Sequence, residues 1–505
     1  MKPLLNEARV DPKNGYAIGD GLYAHSGVRE NNGSYRQFPF SVDGSGTGFE
    51  PSPEYSSNGY LDLSISKINS YLATFMNRIF IMQPFLDAMD LRQMRDDFIA
   101  RYVPLSQHPT AAGVDDKVDH RWSTHGLNDL SKMPHELLLD DAMMFLVWAL
   151  GATCEHNVDA SLQKTKFQHA QTSNDQGYDA PGLVYFRRSV EIMSSIVHVD
   201  MLIHAQIYLL AGLYMGQLAC VEESMSWFTR AGRVLNKLIR EHKLFRDSPW
   251  TAERDLQREL KESSNLVRSK EQHYIILAAW SCIQLEGDVL AQRRLPSSGI
   301  HKIEDWLPLP HVFVGEGHGI MHRGWPAECL ERLDFIHTAQ TFLWKRGNQF
   351  NNDLYGSDYT CHSPDAVCTM LRNHEMTLDA WKERLPPALQ WCKWDPPSSD
   401  ILLARLQAKY WELRFVVDLH FLNYTTHIKP RVQDGWRVGD VALDVYGNPR
   451  GQAEVRVFEA IATMSDSEVR AGCQRCVDAA IQGTGAFDGI PGRLTVPNIH
   501  STAHV

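Results

Sequence analysis

The two closest cysteines of this chain, Cys473 and Cys476, have a spacing that could hold a metal ion or form a redox pair. A structural zinc site needs four ligands, which usually come from two such pairs or from one pair and spaced histidines. The sequence has no second pair of this kind. In a helix, a step of three residues places both thiols on one face beside Val477 and Ala480. The pattern therefore predicts core packing rather than metal binding or thiol chemistry.

Two histidine pairs have the i, i+4 spacing with which a helix presents two ligands to a metal ion. His318 and His322 lie in a glycine-rich stretch, GEGHGIMH, which lacks the glutamate of a metalloprotease helix. His500 and His504 lie in the last residues of the sequence. We interpret both spacings as coincidence and expect no metal site at either pair.

Other motif-like spacings are equally incomplete. Two glycine sets are spaced loosely like nucleotide-binding loops: Gly315, Gly317 and Gly319, and Gly483, Gly485 and Gly489. Neither set follows a strand or carries the Lys-Ser/Thr of a phosphate loop. Cys361 and Cys368 repeat a spacing found inside binuclear zinc clusters but lack partner cysteines. With no nucleophile elbow and no kinase signature, we expect no catalytic, cofactor-binding, metal-binding or DNA-binding residue in this chain, and no enzyme.

The tryptophan-rich stretch WCKWDPPSSD, residues 391–400, is the remaining candidate for a binding site. We expect it to wrap the surface of the domain. An aromatic cage that binds a ligand is the alternative.

Composition limits the function classes. The chain has 505 residues, 43% of them apolar, and 13 Trp, so it can bury a large core. Its 50 basic and 61 acidic side chains give a net charge of -11, which disfavours binding to nucleic acid phosphates. Nine cysteines spread through a long chain fit reduced thiols. The first residues do not resemble a secretory signal, and no apolar run is long enough to span a bilayer. We expect no membrane association.

The pattern of apolar residues predicts an all-α protein, because no segment alternates as the strands of a sheet would. Residues 1–60 are rich in Gly, Ser and Asn and predict a flexible leader, and residues 61–505 predict a large multi-helix domain. The predicted helices lie near residues 65–79, 91–99, 140–156, 184–197, 202–217, 221–241, 251–292, 327–348, 370–384 and 399–427. In the helix at 202–217, Ala205, Gly212 and Gly216 share a face that would let a neighbouring helix approach closely.

Five strings in order along the chain resemble one family, the fungal-specific transcription factor domain, also called the middle homology region of binuclear zinc cluster regulators. The first, at 68–102, is similar to that family's opening pair of helices with a hinge at Gln83 to Leu86. The others lie at 142–154, 205–241, 280–300 (WSCIQLEGDVLAQRRLPSSGI), and 446–461 with 473–494. The resemblance covers roughly residues 65–505.

The resemblance implies a regulatory domain that acts in the nucleus through protein or ligand binding, with the cytoplasm as an alternative location. It implies transcription machinery or co-regulators as partners, and allows a homodimer. The six-cysteine zinc cluster of the family is absent, so we expect no cofactor here and DNA binding only through a missing N-terminal module. We also expect truncation at the C-terminus.

Two other function classes stay open. One is a helical relative recruited as an enzyme or accessory protein in a fungal biosynthetic pathway. A cavity lined by converging His, Asp or Glu would favour this class. The other is a scaffold that does not bind DNA.

Overall fold

The computed structural model describes residues 63–102, 135–159, 180–196, 200–249, 267, 269–292, 295–310, 327–355, 363–443 and 450–490. Over these ranges the chain is all-α, with fourteen α-helices and no strand, which confirms the predicted fold class. The predicted leader, residues 1–60, lies outside the described residues.

A helix lies at each of the ten positions that the apolar periodicity predicts, and further helices follow after residue 428. In chain order they are α1 Ile65–Arg78, α2 Ala88–Tyr102, α3 His135–Asp159, α4 Leu183–Ser195, α5 Leu202–Gln217, α6 Val221–Glu241, α7 Lys270–Gln292, α8 Ala327–Tyr355, α9 Pro364–Glu383, α10 Ile401–Asn423, α11 Lys429–Gln433, α12 Val438–Val441, α13 Gln452–Thr463 and α14 Asp466–Gly485. The predicted helix at 251–292 is described from Lys270 onward. The helix predicted at 399–427 is α-helical up to Asn423, and a π-helical turn, Tyr424–Ile428, follows directly.

Side-chain caps fix several helix starts. Ser363 accepts a hydrogen bond from the Ala366 amide and is followed by proline at the first helical position of α9. Ser465 and Glu468 form a capping box at the start of α14. These local signals define where α9 and α14 begin.

The buried side chains form two large cores. The first is built by α1 to α7, with α5 buried nearly all round. The second is built by α8 to α14, and a small cluster around Met82 and Ile336 joins the two. The glycine face predicted on α5 is confirmed, because a Cβ at Gly212 would lie 2.3 Å from the Phe228 ring of α6.

The string WSCIQLEGDVLAQRRLPSSGI is organised around one buried carboxylate. Glu286 accepts hydrogen bonds from the Ser298 amide and the Ser298 hydroxyl, both at 2.5 Å. Gly299 follows with φ of 85°, a backbone conformation that favours glycine. Ile300 is then directed into the first core. The motif thus fastens the turn after α7 back onto that helix.

Candidate functional site

The residues singled out from the sequence do not form a common site. Eight of them lie outside the described residues: His318, His322, His500, His504, Cys361, Gly315, Gly317 and Gly319. Cys368 is buried, and its thiol lies 3.4 Å from the Ala460 carbonyl. Gly483 and Gly485 lie within α14. In the part of the chain that the structure covers, no group of three or more His, Cys, Asp or Glu side chains is arranged to hold a metal ion.

The Cys473 and Cys476 pair packs as predicted, but the expected face of α14 is partly wrong. Cys476 is buried, and Cys473 is half-buried with its Sγ 3.3 Å from Thr425 Oγ1. Val477, however, is 41% exposed. The buried stripe of this helix runs through Gly472, Cys476 and Ala479, because small side chains let α14 approach α10 closely: a Cβ at Gly472 would lie 2.4 Å from the Phe421 ring.

The tryptophan-rich stretch at 391–400 covers the surface as expected, except at its first residue. Trp394 is 85% exposed, whereas Trp391 is buried. Trp391 stands with Tyr410 and Trp411 of α10 around the Lys382 ammonium, whose Nζ lies 5.4, 5.7 and 5.3 Å from the three ring centroids. These three rings form an aromatic cage, and a lysine of the same chain occupies it.

The structure also contains a concave site that the sequence did not reveal. A groove of about 320 Å³ lies where the start of α2 meets α3, α5 and α7, and we call it the α2/α7 groove. Its lining consists of Leu86, Asp87, Asp90, Leu91, Met94, Met143, Leu202, Gln206, Lys270, Glu271 and Tyr274. Its volume is at the lower end of the range usual for small-molecule sites.

Asp87 organises the polar end of this groove. One carboxylate oxygen caps α2, accepting hydrogen bonds from the amides of Met89 at 2.6 Å and Asp90 at 3.1 Å. The other accepts a hydrogen bond from the Tyr274 hydroxyl at 2.9 Å and lies 3.0 Å from Lys270 Nζ. Asp87 therefore ties the beginning of α2 to the first turns of α7.

These contacts shift the pKa values of Asp87 and Tyr274. Burial raises the pKa of Asp87, but hydrogen bonds from Lys270, the Asp90 amide and Tyr274 outweigh it and leave that pKa below the usual value. Burial and the nearby Asp87 charge raise the pKa of Tyr274. Asp87 is thus a poor proton acceptor and Tyr274 a poor proton donor. The pair is suited to holding structure and charge rather than transferring protons.

Lys270 and Asp90 form the more accessible part of the polar end. The Lys270 ammonium lies 2.9 and 3.0 Å from the two Asp90 carboxylate oxygens and 6.0 Å from the Tyr274 ring centroid. The Lys270 and Asp90 side chains are 40% and 55% exposed. Solvent, or a ligand, can therefore reach this ion pair.

Most of the remaining lining is apolar. Leu86, Leu91 and Met143 are buried, and Met94 and Leu202 are half-buried. Gln206 donates from Nε2 to the Phe85 carbonyl at 2.7 Å, which fixes the amide plane at the groove wall. An apolar surface beside a few fixed polar groups is the usual design of a small-molecule site.

The members of the groove are far apart in sequence, which is why sequence reasoning missed it. Tyr274 and Asp87 are separated by 187 residues. Two local signals were present, an aspartate directly before α2 and a Lys-x-x-x-Tyr spacing on one face of α7. Neither signal indicates which helices meet.

No protein-family model matches this chain, and neither a curated protein nor a solved structure matches it. Among the helices that the structure describes, none is long and apolar enough to cross a membrane.

Proposed function

We propose that this chain is the helical regulatory domain of a fungal transcription regulator and that occupancy of the α2/α7 groove sets its activity. The observation that carries the proposal is that several of the strings that resemble the family contribute to this one groove. The strings at 68–102, 142–154 and 205–241 supply α2, Met143 and Gln206 to the groove. The string at 280–300 continues α7, the helix of Lys270 and Tyr274.

The groove also suits a regulatory role mechanically. A ligand in it would meet the capped start of α2 and the start of α7 at once, because Asp87, Lys270 and Tyr274 join the two helices there. A ligand that changes the Lys270 pairing therefore changes how these two helices are held together. In this proposal the domain acts in the nucleus on transcription machinery or co-regulators, and a separate module brings it to DNA.

The convergence of Asp87, Asp90 and Glu271 is the observation that favours the second candidate, an enzyme or accessory protein of a biosynthetic pathway. Catalysis would need a carboxylate or hydroxyl free to exchange protons. Asp87 caps a helix and its pKa is lowered, and Tyr274 is held as a donor to it. Binding therefore accounts for these groups better than proton transfer.

The test is a tethering experiment with the full chain. Fused to an unrelated DNA-binding domain, the chain should change the transcription of a reporter in a fungal host. Glu271→Arg should alter that response, because it reverses a charge at the exposed rim of the groove. Glu459→Arg, a charge reversal at another exposed position, on α13, is the matched control. A folded, nuclear fusion that leaves the reporter at baseline would reject the regulatory proposal.

A further inference from the structure

The charge balance of the α2/α7 groove is strongly one-sided. The lining carries three carboxylates, those of Asp87, Asp90 and Glu271, and one ammonium, that of Lys270, which pairs with the first two, so the formal sum is 1 − 3 = −2. The net negative charge would repel an anionic ligand. Such a ligand could bind Lys270 only by displacing one of the two carboxylates that already pair with it. A cationic ligand would be attracted.

We propose that the ligand of the groove is an organic ammonium compound with a compact apolar body, and that Lys270 is its internal competitor. This inference rests on the proposed function for its biological role, but not for the binding itself. The ammonium group would lie against the carboxylates of Asp90 and Glu271. The apolar body would cover Leu91, Met94 and Leu202.

The geometry around Lys270 is what identifies the ligand class. Its own ammonium already binds here as a ligand ammonium would, with both Asp90 oxygens within 3.0 Å, Asp87 at 3.0 Å and the Tyr274 ring beside it. Carboxylates together with an aromatic ring are a favourable environment for an ammonium ion. The side chain reaches this position from the first residue of α7 and is still 40% exposed. It can therefore swing out when another cation takes its place.

The apolar part of the site fits a small, adaptable body. Met94 and Met143 are unbranched and polarisable, so they adjust to ligands of different outline. Gln206 is a fixed part of the wall, because its Nε2 donates to the Phe85 carbonyl at 2.7 Å.

The test uses three probes of nearly equal shape and different charge: tryptamine, tryptophol and indole-3-propionate. Ligand-observed NMR and calorimetry should show that the full chain binds tryptamine with a dissociation constant of about 1 mM, as expected for a ligand of this size. Tryptophol should bind several-fold more weakly and indole-3-propionate should not bind. Equal binding of the three probes, tighter binding of the anion, or no binding at all would overturn the proposal.

Two variants test the competition directly. Lys270→Met removes the internal ammonium and should tighten tryptamine binding about tenfold, whereas Asp90→Asn should weaken it by a similar factor. Lys429→Met and Asp466→Asn remove a comparable ion pair, 2.6 Å long, between α11 and α14 and should leave tryptamine binding unchanged. If Lys270→Met fails to tighten binding while remaining folded, Lys270 is not a competitor. Glu271→Gln, a rim substitution, should then still weaken binding several-fold if the ammonium class is correct.

The two proposals fail in different ways. Selective tryptamine binding, combined with a reporter insensitive to Glu271→Arg, would reject groove-controlled regulation and keep the ligand class. A reporter that responds to Glu271→Arg, combined with no discrimination among the three probes, would keep groove-controlled regulation and reject the ligand class.

Discussion

Arg405 of α10 donates a hydrogen bond from Nη1 to the backbone carbonyl of Met82, which lies 2.9 Å away and 323 residues earlier in the chain. The neighbouring carbonyl, that of Ile81, lies 3.2 Å from His337 Nε2 of α8. Burial and the Arg405 charge lower the pKa of His337 to about 3, so the ring is neutral and must donate from Nε2 to this carbonyl. The turn between α1 and α2, part of the first core, is thus held by side chains of the second.

Replacing Arg405 by methionine should weaken this connection. Arg405 is 2% exposed, and Met82 would be left with a buried carbonyl that has lost its donor. Such a loss costs about 1–3 kcal/mol, although removing a buried charge offsets part of it. We expect a lower free energy of unfolding in denaturant titrations. Arg437→Met removes an arginine that is 86% exposed and paired with Asp440, and should change stability by less than about 0.5 kcal/mol. Equal effects of the two variants would contradict this account.

Alanine should lower stability at one of the two glycines of α5 and not at the other. At Gly212 the new Cβ would lie 2.3 Å from the Phe228 ring, so this buried ring or the two helices must shift. Overpacking of this kind costs about 1–3 kcal/mol. At Gly216 the nearest atom is Ser224 Oγ at 3.5 Å, so Gly216→Ala should be neutral or stabilise by up to about 1 kcal/mol through helix propensity. Thermal melts of both variants decide the matter, and a Gly212→Ala protein as stable as Gly216→Ala would refute the close approach.

These glycines also show how far the sequence could predict the fold. The 3.6-residue periodicity placed α5 and α6 at the residues where they are found, and the shared face of Ala205, Gly212 and Gly216 correctly indicated a close neighbour. Periodicity was less reliable for α14. Small residues at Gly472 and Ala479 define its packed face, whereas hydrophobicity favoured Val477, which is 41% exposed.

The groove could not be predicted for a different reason. An aspartate before a helix predicts a cap, and Asp87 is one. The same carboxylate also accepts a hydrogen bond from the Tyr274 hydroxyl, and this contact depends on how α2 and α7 pack across the first core. Such a contact is a property of the tertiary arrangement, and no local spacing encodes it.

A second charged cluster predicts a pH dependence. Three carboxylates, those of Glu375, Asp379 and Asp418, surround the two guanidinium groups of Arg414 and Arg475 on α9, α10 and α14. Acid is in excess, so one carboxyl group should hold a proton near neutral pH. Burial, followed by the Asp418 charge, raises the pKa of Glu375 to about 7, well above the ordinary value for a glutamate, about 4.5.

The sign of the effect follows from the direction of this shift. Because the folded state holds the Glu375 proton more tightly than the unfolded state, stability falls as pH rises from about 4.5 to about 7. Glu375→Gln removes this titration and should flatten the dependence of unfolding free energy on pH across that window. Glu459→Gln, at an exposed position of α13, should leave the profile unchanged. Denaturant titrations at several pH values test this, and parallel profiles for Glu375→Gln and the parent chain would count against it.

The aromatic cage around Lys382 provides the last prediction. Burial lowers the pKa of Lys382, which indicates that its ammonium has given up part of its hydration, and the rings of Trp391, Tyr410 and Trp411 replace that hydration with cation–π contacts. Lys382→Ala should therefore lower stability by about 1–2 kcal/mol and leave an unfilled cation site.

An unfilled cation site should accept a cation from solution, which separates a cage from ordinary apolar packing. Adding tetramethylammonium chloride at about 0.1–0.5 M should raise the melting temperature of Lys382→Ala above that in sodium chloride of equal concentration, because a ligand that binds only the folded state stabilises it. The parent chain should show no such difference, since its own ammonium competes from a tethered position. Lys393→Ala is the control: its ammonium pairs with the Asp478 carboxylate and lies over the single ring of Trp394, which is 85% exposed. Rescue of Lys382→Ala alone would establish that the three rings select a cation, whereas equal responses of both variants would reduce them to a hydrophobic contact.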